Sequence, residues 1–236
     1  FKSMSMSKIN KKDNLLYGSL VRKIIRKSKT AVLSSHLNGS KWPYGSLVLS
    51  CCEHDGSPYV FISDLAEHTK AIRMNNKVSI FYENCNFLDD PLTGTRFSML
   101  CKAFDVYKKE ERRLLLNRFV LRHPESKIYS KFNDFNIFKL SVEKIHVISG
   151  FGKIRWLNKD DVIGTKYENL IKSEETIIDF VNNKNITDSQ VIGVDPEGYD
   201  FINKKEYFRN EFSEEIKDEK TAKIKIVEMI KNKEIK

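Results

Sequence analysis

Residues 30–62 read TAVLSSHLNGSKWPYGSLVLSCCEHDGSPYVFI. Three apolar runs, 30–36, 44–52 and 58–62, are punctuated by the turn dipeptides Asn38-Gly39 and Asp55-Gly56. Such spacing predicts an antiparallel meander of three strands with tight connections. Upstream, residues 13–28 place Leu15, Leu16, Leu20, Val21, Ile24 and Ile25 at helical spacing, with Asp13 as the expected N-cap. Downstream, a helix is expected over 65–75, capped by Ser63 or Asp64, with Leu65, Ile72 and Met74 turned inward. Strands follow at 77–83 and 95–107, separated by a loop at Asp90-Pro91 and Gly94. A helix over 109–121 is stopped by His123-Pro124, and 135–149 supplies one or two more strands. Short connections and a majority of strands predict an antiparallel barrel flanked by helices.

Beyond Gly152 the pattern changes. A helix is expected at 168–183, strands at 189–195, 198–203 and 205–211 with a turn at Pro196-Glu197-Gly198, and a final helix at about 217–232. The linker is expected at 157–167. An α-β-β-β-α unit of this size needs a surface to dock on. Charge marks the same boundary: residues 161–236 hold 13 Lys and Arg against 17 Asp and Glu, whereas residues 1–160 hold 28 against 15. The basic first part suits a phosphate, a haem propionate or a nucleic acid. Nucleic acid is the weakest of these, because no basic run interleaves with aromatics in a known module. No apolar run is long enough to span a membrane. The polar start has no apolar segment of the signal-peptide kind, so a cytoplasmic protein is expected, and residues 1–7 are set aside. Cys51, Cys52, Cys85 and Cys101 form no CxxC pair and lie in or beside apolar runs, which reads as buried thiols in a reducing compartment.

Four stretches carry a family resemblance: ISDLAEHTKAIRMNNKVSI (62–80), DDPLTGTRFSMLCKA (89–103), FNDFNIFKL (132–140) and HVISGFGKIRW (146–156). In order and spacing they resemble the HugZ/HutZ-type haem-utilisation branch of the pyridoxamine 5'-phosphate oxidase-like superfamily. DPEGYDF (195–201) is similar to the signature of the small domain often fused behind these barrels. The resemblance implies a mostly β fold with flanking helices: an FMN-binding split barrel-like domain over 8–157 and a small C-terminal α/β domain over 168–236. It further implies a homodimer with a ligand cleft between subunits, holding FMN in some members and haem in this branch. The activities that follow are haem binding with haem oxygenase-like degradation, an FMN-dependent oxidoreductase, or a non-catalytic ligand-binding dimer. Oxidation of pyridoxamine phosphate itself is not expected, because that enzyme's C-terminal substrate motif is missing.

The resemblance places cofactor-binding residues at His68, Thr69, Lys70 and Arg73, where a strand runs into a helix N-terminus that favours an anion. Flavin-binding relatives carry a Lys where this chain has His68, so the position follows the haem branch. Arg96, Asp134, Lys153 and Arg155 complete the implied set. Arg96 reads equally as the partner of Asp89 or Asp90, and Asp134 as a cap between helix and strand. Lys153 and Arg155 follow Gly150-Phe151-Gly152, whose glycines let a ligand approach the backbone. Trp156 reads as a stacking platform or as packing at the barrel end. Haem iron usually takes a His ligand. The branch's C-terminal His is missing here, where the corresponding run is NNKNITD (182–188). That leaves His68 or His146, a Tyr, or no strong ligand, with a core or interface role as the plainer reading of His146.

Overall fold

The computed structural model describes residues 11–234 except 38, 41, 86, 87 and 151, so Asn38 and Phe151 of the expected turns lie outside the described residues. The chain forms two compact units. One contains the described residues up to Cys51, with Gly56–Asp105 and Asn136–Ile163; the other contains Cys52–Asp55, Val106–Phe135 and the chain from Gly164 onward.

The first unit opens with helix α1 (Lys11–Lys27), followed by β1 (Thr30–His36), β2 (Pro43–Cys52), β3 (Pro58–Ser63), α2 (Glu67–Met74), β4 (Lys77–Asn84), β5 (Thr95–Asp105) and β6 (Phe135–Ser149). The strand order is β3-β2-β1-β4-β5-β6, and a β3–β6 pairing closes it into a six-stranded antiparallel barrel. Strand β7 (Ile154–Asn158) pairs with Lys144–Ile148 of β6. β5 pairs with Phe138–Ser149 of β6. Period-two alternation sends Leu33, Ile80, Phe97, Met99, Ile145 and Val147 into the core, each at most 1% exposed. Inside, the Tyr82 and Phe97 rings stack at 5.4 Å, and the Tyr82 and Ser50 hydroxyls are hydrogen-bonded at 2.6 Å.

Several local expectations are corrected. Helix α1 begins at Lys11, so Asp13 lies in its first turn and is not its cap. Helix α2 starts two residues later than expected, with Ala66 as an N-cap that makes no side-chain bond. Ser63 Oγ instead accepts from Leu65 N, an ST-type turn that competes with helix. Ile72 is buried as expected, but Leu65 and Met74 are 77% and 75% exposed. Residues 135–149 are a single strand, within the one or two expected. The expected linker 157–167 holds the end of β7 and a one-turn helix, α4 (Lys159–Val162), whose capping box joins Asn158 and Asp161. None of the four cysteines is in a disulfide, and burial, then Glu143, pushes the Cys101 thiol up to about 12.

The second unit contains α3 (Lys109–Arg122), α5 (Glu168–Asn182), β8 (Gln190–Asp195), β9 (Gly198–Asn203), β10 (Glu206–Glu211) and α6 (Glu219–Glu234). Its antiparallel sheet runs β10-β9-β8. Leu170, Ile177, Val181, Val191, Val194, Tyr199, Ala222 and Ile226 form its core. The β9–β10 turn places Lys204 and Lys205 at φ of 48° and 72°. Positive φ at both central residues is the primed hairpin geometry, reached here without the usual Asn or Gly. Helix α3 contributes Arg118, whose Nε donates to Cys52 O at 3.0 Å and whose Nη1 donates to Val194 O at 3.1 Å and to the Glu174 carboxylate. Glu174 also meets His54 Nε2 at 3.0 Å and accepts from Val194 N at 2.9 Å. Burial opposes the Glu174 charge, but Arg118 and then His54 outweigh it and hold the carboxyl below the usual carboxylate range.

Candidate ligand cleft on the outer face of the barrel

Strand register aligns one outward row across six strands. Leu47 is opposite Val32, Val32 opposite Phe81, Phe81 opposite Ser98, Ser98 opposite His146, and His146 opposite Trp156. Their chain neighbours Leu33, Ile80, Phe97, Ile145 and Leu157 are the buried core, so this row faces out. A solvated sheet face is normally polar at these positions. Here Leu47 is 75% exposed, Trp156 54% and Val32 39%, and Ile154 of the next row is 59% exposed. An apolar stripe of that extent marks a surface that meets a ligand or a partner.

At the β1 end of the row the face deepens into a cleft of about 520 Å³. Val32, Leu47 and Phe81 contribute its apolar wall, and Lys23 and Lys27 of α1, with Lys29 just before β1, line it with positive charge. The end of α1 presented here is the helix's partially negative pole, so attraction for an anion comes from the lysine side chains. Glu83 is the acidic lining residue. Apolar wall plus basic rim is the chemistry of a site for a flat ring bearing carboxylates or phosphates.

The residues proposed from sequence fall in several places. On α2, Thr69 is fully buried with its Oγ1 unpaired, and the His68 Nε2 is buried with no hydrogen-bond partner among the described residues. Burial lowers the His68 pKa and favours its neutral form. Lys70 pairs with Glu67 at 2.7 Å. Arg73 bonds Asp64 at 2.6 Å and Asp105 at 3.4 Å and lies over the Phe138 ring. The amides of Thr69 and Lys70 both donate to Ala66 O. Arg96 Nη1 donates to Leu92 O at 2.8 Å and Gly94 O at 3.2 Å, clasping the carbonyls of its own loop, while Asp90 caps that loop through Leu92 N. Lys153 is exposed and its carbonyl accepts from Ser149 N, closing the turn in which Gly150 and Gly152 have φ of +74° and +77°. Arg155 points off the outer face, 3.6 Å from Asp13 and over the Tyr17 ring at 4.7 Å. Asp134, half-buried, lies in the second unit. Only His146 and Trp156 of the sequence candidates join the outward row, their rings 4.7 Å apart at 33°. Reading from sequence missed Lys23, Lys27, Lys29, Val32, Leu47 and Phe81. The signal was there: runs such as AVL (31–33) and SLVL (46–49) are apolar at successive positions, so both faces of those strands are apolar.

A closed six-stranded antiparallel barrel flanked by helices places the first unit in the fold class of FMN-binding split barrel-like proteins. Residues 14–163 match the model of the CREG β-barrel family, and the chain belongs to that family. Over 111 residues it is 30% identical to the non-canonical heme oxygenase HOZ, chloroplastic, of Arabidopsis thaliana, a match covering 46% of this chain and 32% of that protein. The chain therefore matches about a third of that relative's length. Among solved structures, a protein of unknown function from Agrobacterium tumefaciens superposes with a TM-score of 0.75 at 20% identity, covering 92% of this chain and 94% of that one. A heme binding protein from Mycobacterium smegmatis superposes with a TM-score of 0.56 at 18% identity, covering 91% and 97%. The fold is thus the one expected from the resemblance to the haem-utilisation split barrels. No helix among the described residues is long and apolar enough to cross a membrane.

Proposed function

We propose that this chain binds haem on the outer face of its barrel, as a homodimer that covers that face, and serves haem utilisation with haem oxygenase-like degradation as the activity to be tested. The observation that carries the reading is the cleft in which Lys23, Lys27 and Lys29 stand beside Val32, Leu47 and Phe81. Haem fits this donor set: the apolar wall accepts the macrocycle, and the lysines pair with the propionates. Bound haem would supply redox and oxygen chemistry; the chain's own groups bind it, orient it and exclude water. The names of the Arabidopsis and mycobacterial relatives support the same ligand. FMN is the second reading, drawn from the fold class. The α2 segment offers its phosphate little, because Lys70 and Arg73 already face carboxylates and the first-turn amides of Thr69 and Lys70 are already donating. Thiols outside disulfides suit a reducing, cytoplasmic setting.

Titration of the full chain with haemin and, separately, with FMN tests the ligand. Haemin should give a saturable Soret band, and Lys27→Glu with Lys29→Glu should weaken it by about tenfold or more, since each reversed charge acts on a nearby anion. No saturable Soret band, or a tight FMN complex in its place, overturns the haem reading. The homodimer is tested by sedimentation. Leu47 is the most exposed apolar residue of the outward row, and a buried unpaired carboxylate there costs several kcal/mol. The wild-type chain should sediment as a dimer and Leu47→Asp as a monomer at micromolar concentration; a monomeric wild type removes the dimer.

A further inference from the structure

Deepening the haem reading, on which it rests, we infer that His146 supplies the nitrogen ligand to the iron and that Trp156 holds its ring in place. The chain has five histidines. His54 and His123, in the second unit, are buried beside acids, with His54 3.0 Å from Glu174 and His123 3.7 Å from Glu125. His68 is half-buried on α2, off the outward row, with its Nε2 shielded from solvent. His36 lies at the far end of β1, four residues or about 13 Å along the strand from Val32, and lines a smaller cleft with Leu37, Met74 and Asn75.

His146 differs from all four. It stands on the outward row itself, half-buried, two strand spacings or about 10 Å from Phe81 at the basic cleft. The strand between carries Ser98 in that row, so the floor is low between the Phe81 ring and the imidazole. A flat ring spanning Ser98 would have His146 to hold its iron and Lys27 and Lys29 to hold its charged edge. Among the described residues the imidazole has no hydrogen-bond partner. Metal-ligating imidazoles are usually steered by a hydrogen bond from the second nitrogen. Here the Trp156 ring, 4.7 Å away at 33°, packs against the imidazole and limits its rotation.

The test compares haemin with iron-free protoporphyrin IX, which has the same shape and charge and no metal to coordinate. His146→Ala should shift the Soret maximum of the haemin complex. It should also weaken haemin binding by about tenfold or more, the scale on which even a ligand's hydrogen-bond partner counts. Added imidazole should restore the wild-type spectrum. Protoporphyrin IX should bind wild type and His146→Ala equally, and His36→Ala and His68→Ala should keep the wild-type haemin spectrum. An unchanged Soret band in His146→Ala, or one lost instead in His36→Ala or His68→Ala, overturns the assignment while leaving haem binding intact. Equal loss of haemin and protoporphyrin in His146→Ala overturns it in favour of packing. A wild-type chain that binds protoporphyrin without any haemin-specific spectral change shows that no side chain ligates the iron.

Discussion

Replacing Arg209 by alanine is expected to destabilise the C-terminal sheet by about 3–5 kcal/mol, the cost of breaking a buried ion pair from one side. Arg209 leaves β10 with its side chain 1% exposed and forks onto two acids. Its Nη1 donates to Asp195 at 2.8 Å and Asp200 at 2.9 Å, and its Nη2 to Asp195 at 2.8 Å. Asp195 is fully buried, and Arg118 approaches it no closer than 3.8 Å. Removing Arg209 therefore takes the forked charge-assisted bonds from the buried Asp195, which keeps Glu197 N at 2.9 Å and Arg118 at 3.8 Å. Arg209→Lys should recover only part of the loss, because a single ammonium cannot make the forked geometry. Both tryptophans belong to the barrel unit, so amide hydrogen exchange of β8–β10 is the readout that isolates this sheet. A loss below about 1 kcal/mol, the scale of an exposed pair, would mean that water reaches the cluster and that it does not specify the unit.

The same cluster explains a motif that was visible in the sequence without its cause. DPEGYDF supplies both acids, and the two-residue turn between Asp195 and Gly198 is what brings them to one arginine. A Cβ on Gly198 would lie 2.3 Å from Asn210 O, so the glycine is needed for close approach of β10, beyond its part in the turn. The barrel was legible for a similar reason. Alternation in β5, with Phe97, Met99, Cys101 and Ala103 all buried, is fixed by local pattern alone. The cleft was not legible, because Lys27, Leu47 and Phe81 are far apart in sequence and its apolar wall forms only through the register of β2, β1 and β4. The α2 residues drew attention as a run of polar types, yet their cations are matched by Asp64, Asp105 and Glu67, and two of those pairs are long-range or out of helical step. α4 and the end of β7 were hidden inside a stretch whose polarity reads as a linker.

That hidden helix makes Gly18→Ala the sharpest test of the barrel unit. Helix propensity alone favours alanine over glycine in a helix interior by about 1 kcal/mol. The structure reverses the sign: a Cβ at Gly18 would sit 1.7 Å from the Asp161 carbonyl oxygen and 3.2 Å from Val162 Cα. The obstacle is backbone, so no side-chain rotation relieves it. Asn14, Gly18 and Arg22 follow one another at four-residue steps on one face of α1, and all three meet residues 161–162. Asn14 Nδ2 reaches Asp161 Oδ2 at 3.4 Å, and Arg22 Nη1 donates to Val162 O at 2.7 Å. Asp161 is held in turn by the amide of Asn158, and Val162 is fully buried. For α4 to retreat from a methyl group, these bonds must lengthen together. Overpacking with no room to yield costs about 3 kcal/mol, more than the propensity gain. The variant should unfold at lower urea concentration by tryptophan fluorescence, which reports this unit through Trp42 and Trp156. An unchanged or raised midpoint would mean that α1 and α4 stand further apart than the 1.7 Å approach requires.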